Sequence, residues 1–385
     1  MRQAVALCAA ACLLAAAVWP HGAQAAVLLE RDVQGGHYDV QAYARVDEDA
    51  LLYKAIDADP PGTVRARPTK LRRARLGLRL RWNDDWIFRA AGNFAHRPSL
   101  RDFWLEYRGW PVRIELGRFP EPFSLGESIG STDTLLVARP SPTFLGPDYG
   151  FGAGFNYRAG SWGVSGGAFT RDAGYSLSGK YPENALSLRG TWRPLRGESG
   201  FLHLGASASL RQARQGSGVL LVGSAETTLA RGLAPHSPLL PQSDDYRLLG
   251  GEAAARLGPV LVLGEYIQAH VDAGPTWHGE YVEAAWSLTG ERRSYSTRYG
   301  TVGGITPNEP VTLGGFGAWE LAARWSTTDL RDGGGDRGRI VNLGLNWYPV
   351  DPLRISIGAE RVHRDLADGS ARAATIAQMQ FQLSF

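Results

Sequence analysis

Along most of this chain apolar and polar residues alternate with period two, in runs of about ten residues. The run Arg72–Trp82, RRARLGLRLRW, states the pattern most sharply. Arg73, Arg75, Arg79 and Arg81 share one parity; Ala74, Leu76, Leu78, Leu80 and Trp82 share the other. Successive side chains of a strand point to opposite faces, so one face carries four arginines and the other is apolar. A strand of a water-soluble core does not combine those two faces. Water inside a closed barrel and lipid outside it explains both.

The alternation recurs at Tyr38–Val46, Trp86–Phe94, Phe103–Arg108, Val112–Gly117 and Phe151–Asn156. It continues at Trp162–Phe169, Leu186–Arg193, Leu202–Arg211, Arg247–Leu257, Val260–Val271 and Val282–Thr289. The last runs are Trp319–Trp325, Val341–Trp347, Leu353–Glu360 and ATIAQMQFQLSF, which ends at Phe385. The pattern predicts an all-β protein, a transmembrane antiparallel β-barrel of about sixteen strands, an even number in the range such barrels use. Short connections (Arg108–Pro111, Gly258–Pro259, Tyr348–Pro352) alternate with long ones (Asp47–Lys70, Pro120–Tyr149, Gln212–Tyr246, Glu291–Gly317, Asp329–Arg339). The short ones are expected at the periplasmic rim and the long ones outside. Between the strands starting at Val112 and ending at Phe155 lie about thirty residues with five prolines and several large apolar side chains. That stretch is expected to fold into the mouth as a constriction loop.

Residues 1–25 stand apart. Arg2 gives a positive start, Ala4–Val18 is an apolar run of export-signal length, and Ala23-Gln24-Ala25 is a small-x-small cleavage site. Domain organisation therefore reads as a signal peptide over 1–25 and one outer-membrane barrel over 26–385, with Ala26–Gly36 a short leader. Both cysteines, Cys8 and Cys12, fall in the signal segment. The 48 glycines and 12 tryptophans suit a barrel; a propeller would share that composition, but no blade-type repeat is present. A net charge of +3 gives no bulk case for nucleic acid.

The candidate chemistry is that of a pore. Arg73, Arg75, Arg79 and Arg81 read either as ordinary lumen arginines paired with lumen acids or as a pore-lining ladder for anions. The constriction loop carries Glu121, Glu127, Asp133 and Asp148 against Arg118 and Arg139, a net acidic balance. Those carboxylates are expected to be salted to the wall, at Arg73 or Arg75. Tryptophans at strand ends (Trp82, Trp86, Trp192, Trp286, Trp347) read as an interfacial girdle. Gly126–Gly130 and Gly163–Gly167 fit the G-x-S-x-G pattern of hydrolase nucleophiles, without the strand–turn–helix context that chemistry needs. The eight histidines show no metal spacing. No enzyme activity, metal or cofactor is expected.

The segments KLRRARLGLRLRWNDDW, LGRFPEPFSLGES, GEYVEAAWSLTGERRSY, GGFGAWELAARWSTTDL and VNLGLNWYPVDPLRI, with the terminal strand, resemble the phosphate-selective porins O and P of Gram-negative outer membranes. The resemblance covers most of the mature chain in order. It implies a homotrimer of sixteen-stranded barrels, an inward-folded loop after GRFPEPFSLGES, and passive, anion-favouring diffusion. The chain departs from that family in having only three lysines, Lys54, Lys70 and Lys180, and an acidic third loop. The expected partners are small anionic solutes, phosphate or related oxyanions, and outer-membrane lipid. A weakly selective general porin and an outer-membrane hydrolase barrel are the alternative functions.

Overall fold

A computed structural model describes residues 26–33, 36–58, 62, 64–170, 184–213, 218–241, 243 and 245–385. Residues 1–25, expected to be a signal peptide, and Lys180 lie outside these residues. Among the described residues sixteen strands form the wall. They are β1 (Gly36–Ala58), β2 (Thr69–Trp82), β3 (Trp86–Asn93), β4 (Ser99–Tyr107), β5 (Val112–Pro120), β6 (Tyr149–Ala159), β7 (Trp162–Thr170) and β8 (Asn184–Arg196). The second half comprises β9 (Gly200–Gln212), β10 (Asp245–Leu257), β11 (Val260–Val271), β12 (Thr276–Ser287), β13 (Ala318–Asp329), β14 (Arg337–Val350), β15 (Leu353–Asp365) and β16 (Ala371–Ser384). Each strand pairs antiparallel with its neighbours in sequence, and β16 returns to pair with β1, so the sheet closes. Closure leaves no strand edge with unpaired amides in lipid. No described helix is long and apolar enough to cross a membrane.

The burial pattern is inside out. Leu76 (60% exposed), Leu188 (51%) and Leu343 (58%) face outward, while Arg189 (2%) and Asn342 (3%) are enclosed. Only a surrounding apolar solvent makes that arrangement favourable. At the closing seam Phe385 and Ala44 exchange two backbone hydrogen bonds (2.7 and 3.0 Å). The leader strand Ala26–Val33 pairs with the first residues of β1, beyond the end of β16.

Two expectations are corrected. The strand predicted to stop at Val46 continues to Ala58. Asp47 and Asp49 look like loop residues in the sequence, yet they face the lumen and are fully buried against Arg73 and Gln380. Two register shifts, between Asp47 and Glu48 and between Leu51 and Tyr53, hide the period. The second correction concerns Glu291–Gly317, expected at the outer rim. It joins β12 to β13 at the rim of the short turns, with 83–85, 108–111, 160–161 and 258–259. The outer connection before it is only residues 272–275, so connection length does not identify the rim.

Candidate functional site

Among the described residues three segments enter the lumen: residues 218–241 pack against the wall through Glu226 and Thr227, and two others meet across the water path. From the outer mouth comes the connection between β5 and β6. Ser124 caps its single helical turn, Leu125–Ser128, by accepting from the Glu127 amide (3.2 Å). The carboxylate of Glu265 on β11 sits against this turn. It accepts from the Ser124 hydroxyl (2.8 Å) and from the Leu125 and Gly126 amides (3.1 and 3.2 Å). A wall acid thus satisfies amides that the turn itself leaves open.

Past that turn the loop runs extended, and its carbonyls need donors. Wall arginines supply them. Arg45 donates to the Ser131 carbonyl and hydroxyl (2.8 and 2.7 Å), and Arg354 to the carbonyls of Thr134 and Leu135 (2.6 and 3.2 Å). Arg72 donates to Val137 (2.5 Å) and Arg324 to Ala138 (2.9 Å). Arg72 has no cross-strand partner: Asp47 pairs with Arg73 and Glu48 with Leu71, so Arg72 is the bulged residue and turns inward beside Arg73. The guanidinium carries five donors in a fixed planar fork, against three on the ammonium of lysine, and so spans acceptors set further apart. Arg45, Arg72, Arg324 and Arg354 are in this way a docking device for the loop.

From the turn rim comes residues 288–306. Its tip is a short hairpin pairing Tyr295–Ser296 with Thr301–Val302. Arg189 on β8 donates to the carbonyls of Tyr299 and Gly300, each at 2.8 Å. Arg189 is held by Glu252 (2.5 Å), which also contacts His203 Nε2 (2.8 Å); the other ring nitrogen of His203 meets the Tyr295 hydroxyl (2.8 Å). At the foot of the hairpin Arg293 forms a two-pronged pair with Glu320 (2.7 and 2.8 Å). Its Nη1 reaches the Asp133 carbonyl of the outer loop (2.6 Å) and Gly303 of its own segment (3.1 Å). Arg298 pairs with Glu106 and lies 3.9 Å from Glu115.

Between loop, turn-side hairpin and wall lies a cavity of about 780 Å³. The wall contributes Tyr43, Arg75, Arg89, Arg101 and Asp102; the loop contributes Glu127 to Asp133; the hairpin contributes Ser294, Ser296 and Tyr299.

The four ladder arginines do face the lumen, but in unequal states. Arg73 is paired with Asp47 (2.5 Å) and Arg81 with Asp39 (2.9 Å). Arg75 donates to the Ser131 hydroxyl (3.0 Å), and its Nε is buried without a partner. Arg79 forms no ion pair among the described residues. The loop carboxylates are not salted to Arg73 or Arg75. Glu121 pairs with Arg211 (2.8 Å), Glu127 with Arg139 inside the loop (3.2 Å) and Asp148 with Arg101 (3.6 Å). Burial pushes the Asp133 carboxyl above its usual range, against the pull of Arg293. Arg118, expected on the loop, is part of β5 and 4% exposed beneath it, its guanidinium 4.9 Å from the Tyr149 ring.

Of the two G-x-S-x-G segments, one is the loop's helical turn, where Ser128 Oγ donates to the Ser124 carbonyl (2.7 Å). The other lies within β7. Neither is a strand–turn–helix elbow.

A family model described as phosphate-selective porin O and P matches residues 40–385. Porin O of Pseudomonas aeruginosa is 24% identical over 329 residues, 73% of each chain. An uncharacterized protein of Caulobacter vibrioides is 28% identical over 281 residues; that match takes in 67% of this chain and 55% of the relative. Among solved structures, the anion-selective porin from Comamonas acidovorans has a TM-score of 0.57 at 13% identity, covering 90% of this chain and 100% of that one. The trimer form of OmpT from Vibrio cholerae gives 0.55 at 12%, covering 90% and 99%. These structural likenesses carry the barrel fold. With the matched region running through all sixteen wall strands, the chain belongs to the phosphate-selective porin O and P family of Gram-negative outer-membrane porins.

Proposed function

We propose that the protein is a homotrimeric pore for passive diffusion of small hydrophilic solutes, modestly favouring anions, phosphate and related oxyanions among them. Residues 1–25 direct its export and are removed near Ala26. It performs no catalysis and needs no cofactor. The observation that carries the reading is the charge imbalance along the lumen, at the constriction and on the wall below it. The loop's acids Glu121, Glu127 and Asp148 each have an arginine partner and burial shifts Asp133 toward its neutral form, whereas among the described residues Arg75 has only a hydroxyl and Arg79 no acid. What remains facing the water path is positive, in a narrow space where a fixed charge acts strongly. The family description and the anion-selective porin from Comamonas acidovorans support that sign. The OmpT trimer form supports the assembly. Because the lining arginines are spaced along the wall, an anion passes several weak sites, and conduction needs weak sites.

The test is a reversal potential across a planar bilayer in a chloride gradient. Anion selectivity is the expected outcome, with no block of chloride current by micromolar phosphate. Cation selectivity of the unmodified channel overturns the reading.

A further inference from the structure

The connection between β12 and β13 divides in two. Its first half, 288–306, enters the lumen. Its second half does something else. Residues 310–317 fold as a 3-10 turn over Val311–Leu313, closed by amide bonds from Leu313 and Gly315 to the Pro310 carbonyl (2.9 and 3.2 Å). This turn is fastened to the outer face of the barrel. The Phe316 carbonyl accepts from two indoles, Trp347 Nε1 (2.9 Å) and Trp319 Nε1 (3.3 Å). These tryptophans are cross-strand partners on β13 and β14, stacked with centroids 5.5 Å apart. Their parity is that of Leu321 and Leu343, which face lipid. Fixed in this way, the turn leaves its two largest apolar side chains, Leu313 and Phe316, each 81% exposed.

The level of this knob is set by its surroundings. At the same rim, stacked or tilted aromatic pairs recur: Tyr38 with Trp82, Trp86 with Tyr107, Trp162 with Trp192. Such a belt of tryptophan and tyrosine marks the headgroup level of a bilayer, where an amphipathic ring keeps one end wet. Leu313 and Phe316 continue the belt outward from Trp319 and Trp347. Two large apolar groups held on a rigid clip at that height have a ready solvent in the lipid beside them.

We propose that residues 310–317 are a membrane-interface anchor, with Leu313 and Phe316 inserted into the periplasmic leaflet of the surrounding bilayer. The two halves of the connection are then coupled: lipid holds one end while the other narrows the pore. Gly317 makes the clip possible. Its φ of +70° is a left-handed conformation, and a Cβ there would lie 2.5 Å from the Tyr348 carbonyl oxygen.

The experiment uses the exported trimeric protein, from which Cys8 and Cys12 are lost with residues 1–25, so that the introduced cysteine is the single thiol. Single Phe316→Cys and Leu313→Cys variants carry a nitroxide label, in vesicles of phosphatidylethanolamine and phosphatidylglycerol. Both sites are exposed, so labelling leaves the wall intact. Leu343→Cys is the lipid-facing reference, and Glu198→Cys, on an exposed short turn of the same rim, is the water reference. Power-saturation spectra compare collisions with oxygen and with a neutral nickel chelate. An oxygen-to-nickel ratio several-fold above that of the Glu198 site, approaching that of the Leu343 site, is the expected result. A ratio equal to that of the Glu198 site overturns the proposal. So does exclusion of both reagents with spin–spin broadening between copies, which would make the knob a protein–protein contact.

Discussion

Arg293 Nη1 lies 2.6 Å from the carbonyl oxygen of Asp133. One residue belongs to the segment rising from the periplasmic rim, the other to the loop descending from the outer mouth, so a single guanidinium ties the two constricting elements together. The same side chain neutralises the buried Glu320. Its loss therefore has two separable effects. Arg293→Ala strands a buried carboxylate, which costs on the order of 3–5 kcal/mol, and frees both segments at their meeting point. The expected outcome is a lower unfolding temperature in detergent and a noisier single-channel record. The double variant Arg293→Met with Glu320→Gln should recover most of the stability but not the quiet conductance. Quiet channels in both variants would contradict the tie.

The hairpin from the turn rim has its own clasp. Arg189→Ala removes both donors to Tyr299 and Gly300 while leaving Glu252 with His203. Conductance should rise as the hairpin loosens, and solvent exchange of the amides of residues 295–302 should speed up. Hydrogen-exchange mass spectrometry reads the second effect directly; unchanged protection of that peptide would mean the other contacts suffice.

Docking of the outer loop depends at its near end on Glu265. Replacement by Gln keeps the shape but gives up one of the two acceptor oxygens on which four donors converge, the Ser124 and Tyr281 hydroxyls and the Leu125 and Gly126 amides, and each hydrogen bond contributes about 0.5–1.5 kcal/mol net. Glu265→Gln should therefore weaken the seat of Leu125–Ser128 modestly, and Glu265→Ala severely. The expected readout is easier cleavage within residues 124–139 by added protease, graded Ala above Gln above the parent. Equal resistance in all three would show that the arginine–carbonyl contacts alone hold the loop.

The wall was legible because period two is imposed by two solvents at once. Arg73 and Leu76 answer to water and lipid respectively, whatever the tertiary details. The inward loop was legible from its prolines and its length. What the site is made of was not. Arg189, Arg324 and Arg354 sit on strands that read as ordinary alternation, and what they hold in the two lumen segments is backbone carbonyls, which leave no trace in a sequence. Arg72 carries the wrong parity for the lumen and reaches it only through a bulge. The rim of Glu291–Gly317 follows from counting every strand, and the short connection 272–275 is long enough to reverse direction yet gives no hint that it lies outside. Charge counting predicts an acidic loop, correctly as composition, but the partners of those acids are scattered: Arg211 on β9 for Glu121, Arg101 on β4 for Asp148, and Arg139 of the loop itself for Glu127.

Selectivity tests that last point. The four ladder arginines have equal standing in the sequence and different standing in the fold, so their substitutions should not be equivalent. Among the described residues Arg79 has no acid partner, and the one hydrogen bond of the Arg75 guanidinium is to Ser131. A unit charge about 6 Å from a passing ion in water contributes roughly 0.7 kcal/mol, about a threefold change in local ion concentration. Arg79→Ala and Arg75→Ala should each move the reversal potential toward cations by an amount of that order. Arg73→Ala acts elsewhere: it leaves Asp47, already fully buried, with Arg45 as its remaining cation, so its main effect should be on assembly. For Arg79 the shift should shrink as salt is raised toward 1 M, where the screening length falls to about 3 Å. For Arg75 part of the shift should persist, because its guanidinium lies in a partly enclosed cavity where screening is weaker. Reversal potentials of the three variants at low and high salt decide it. Equal shifts for Arg73, Arg75 and Arg79 would mean that pairing with wall and loop does not set the sign of this pore.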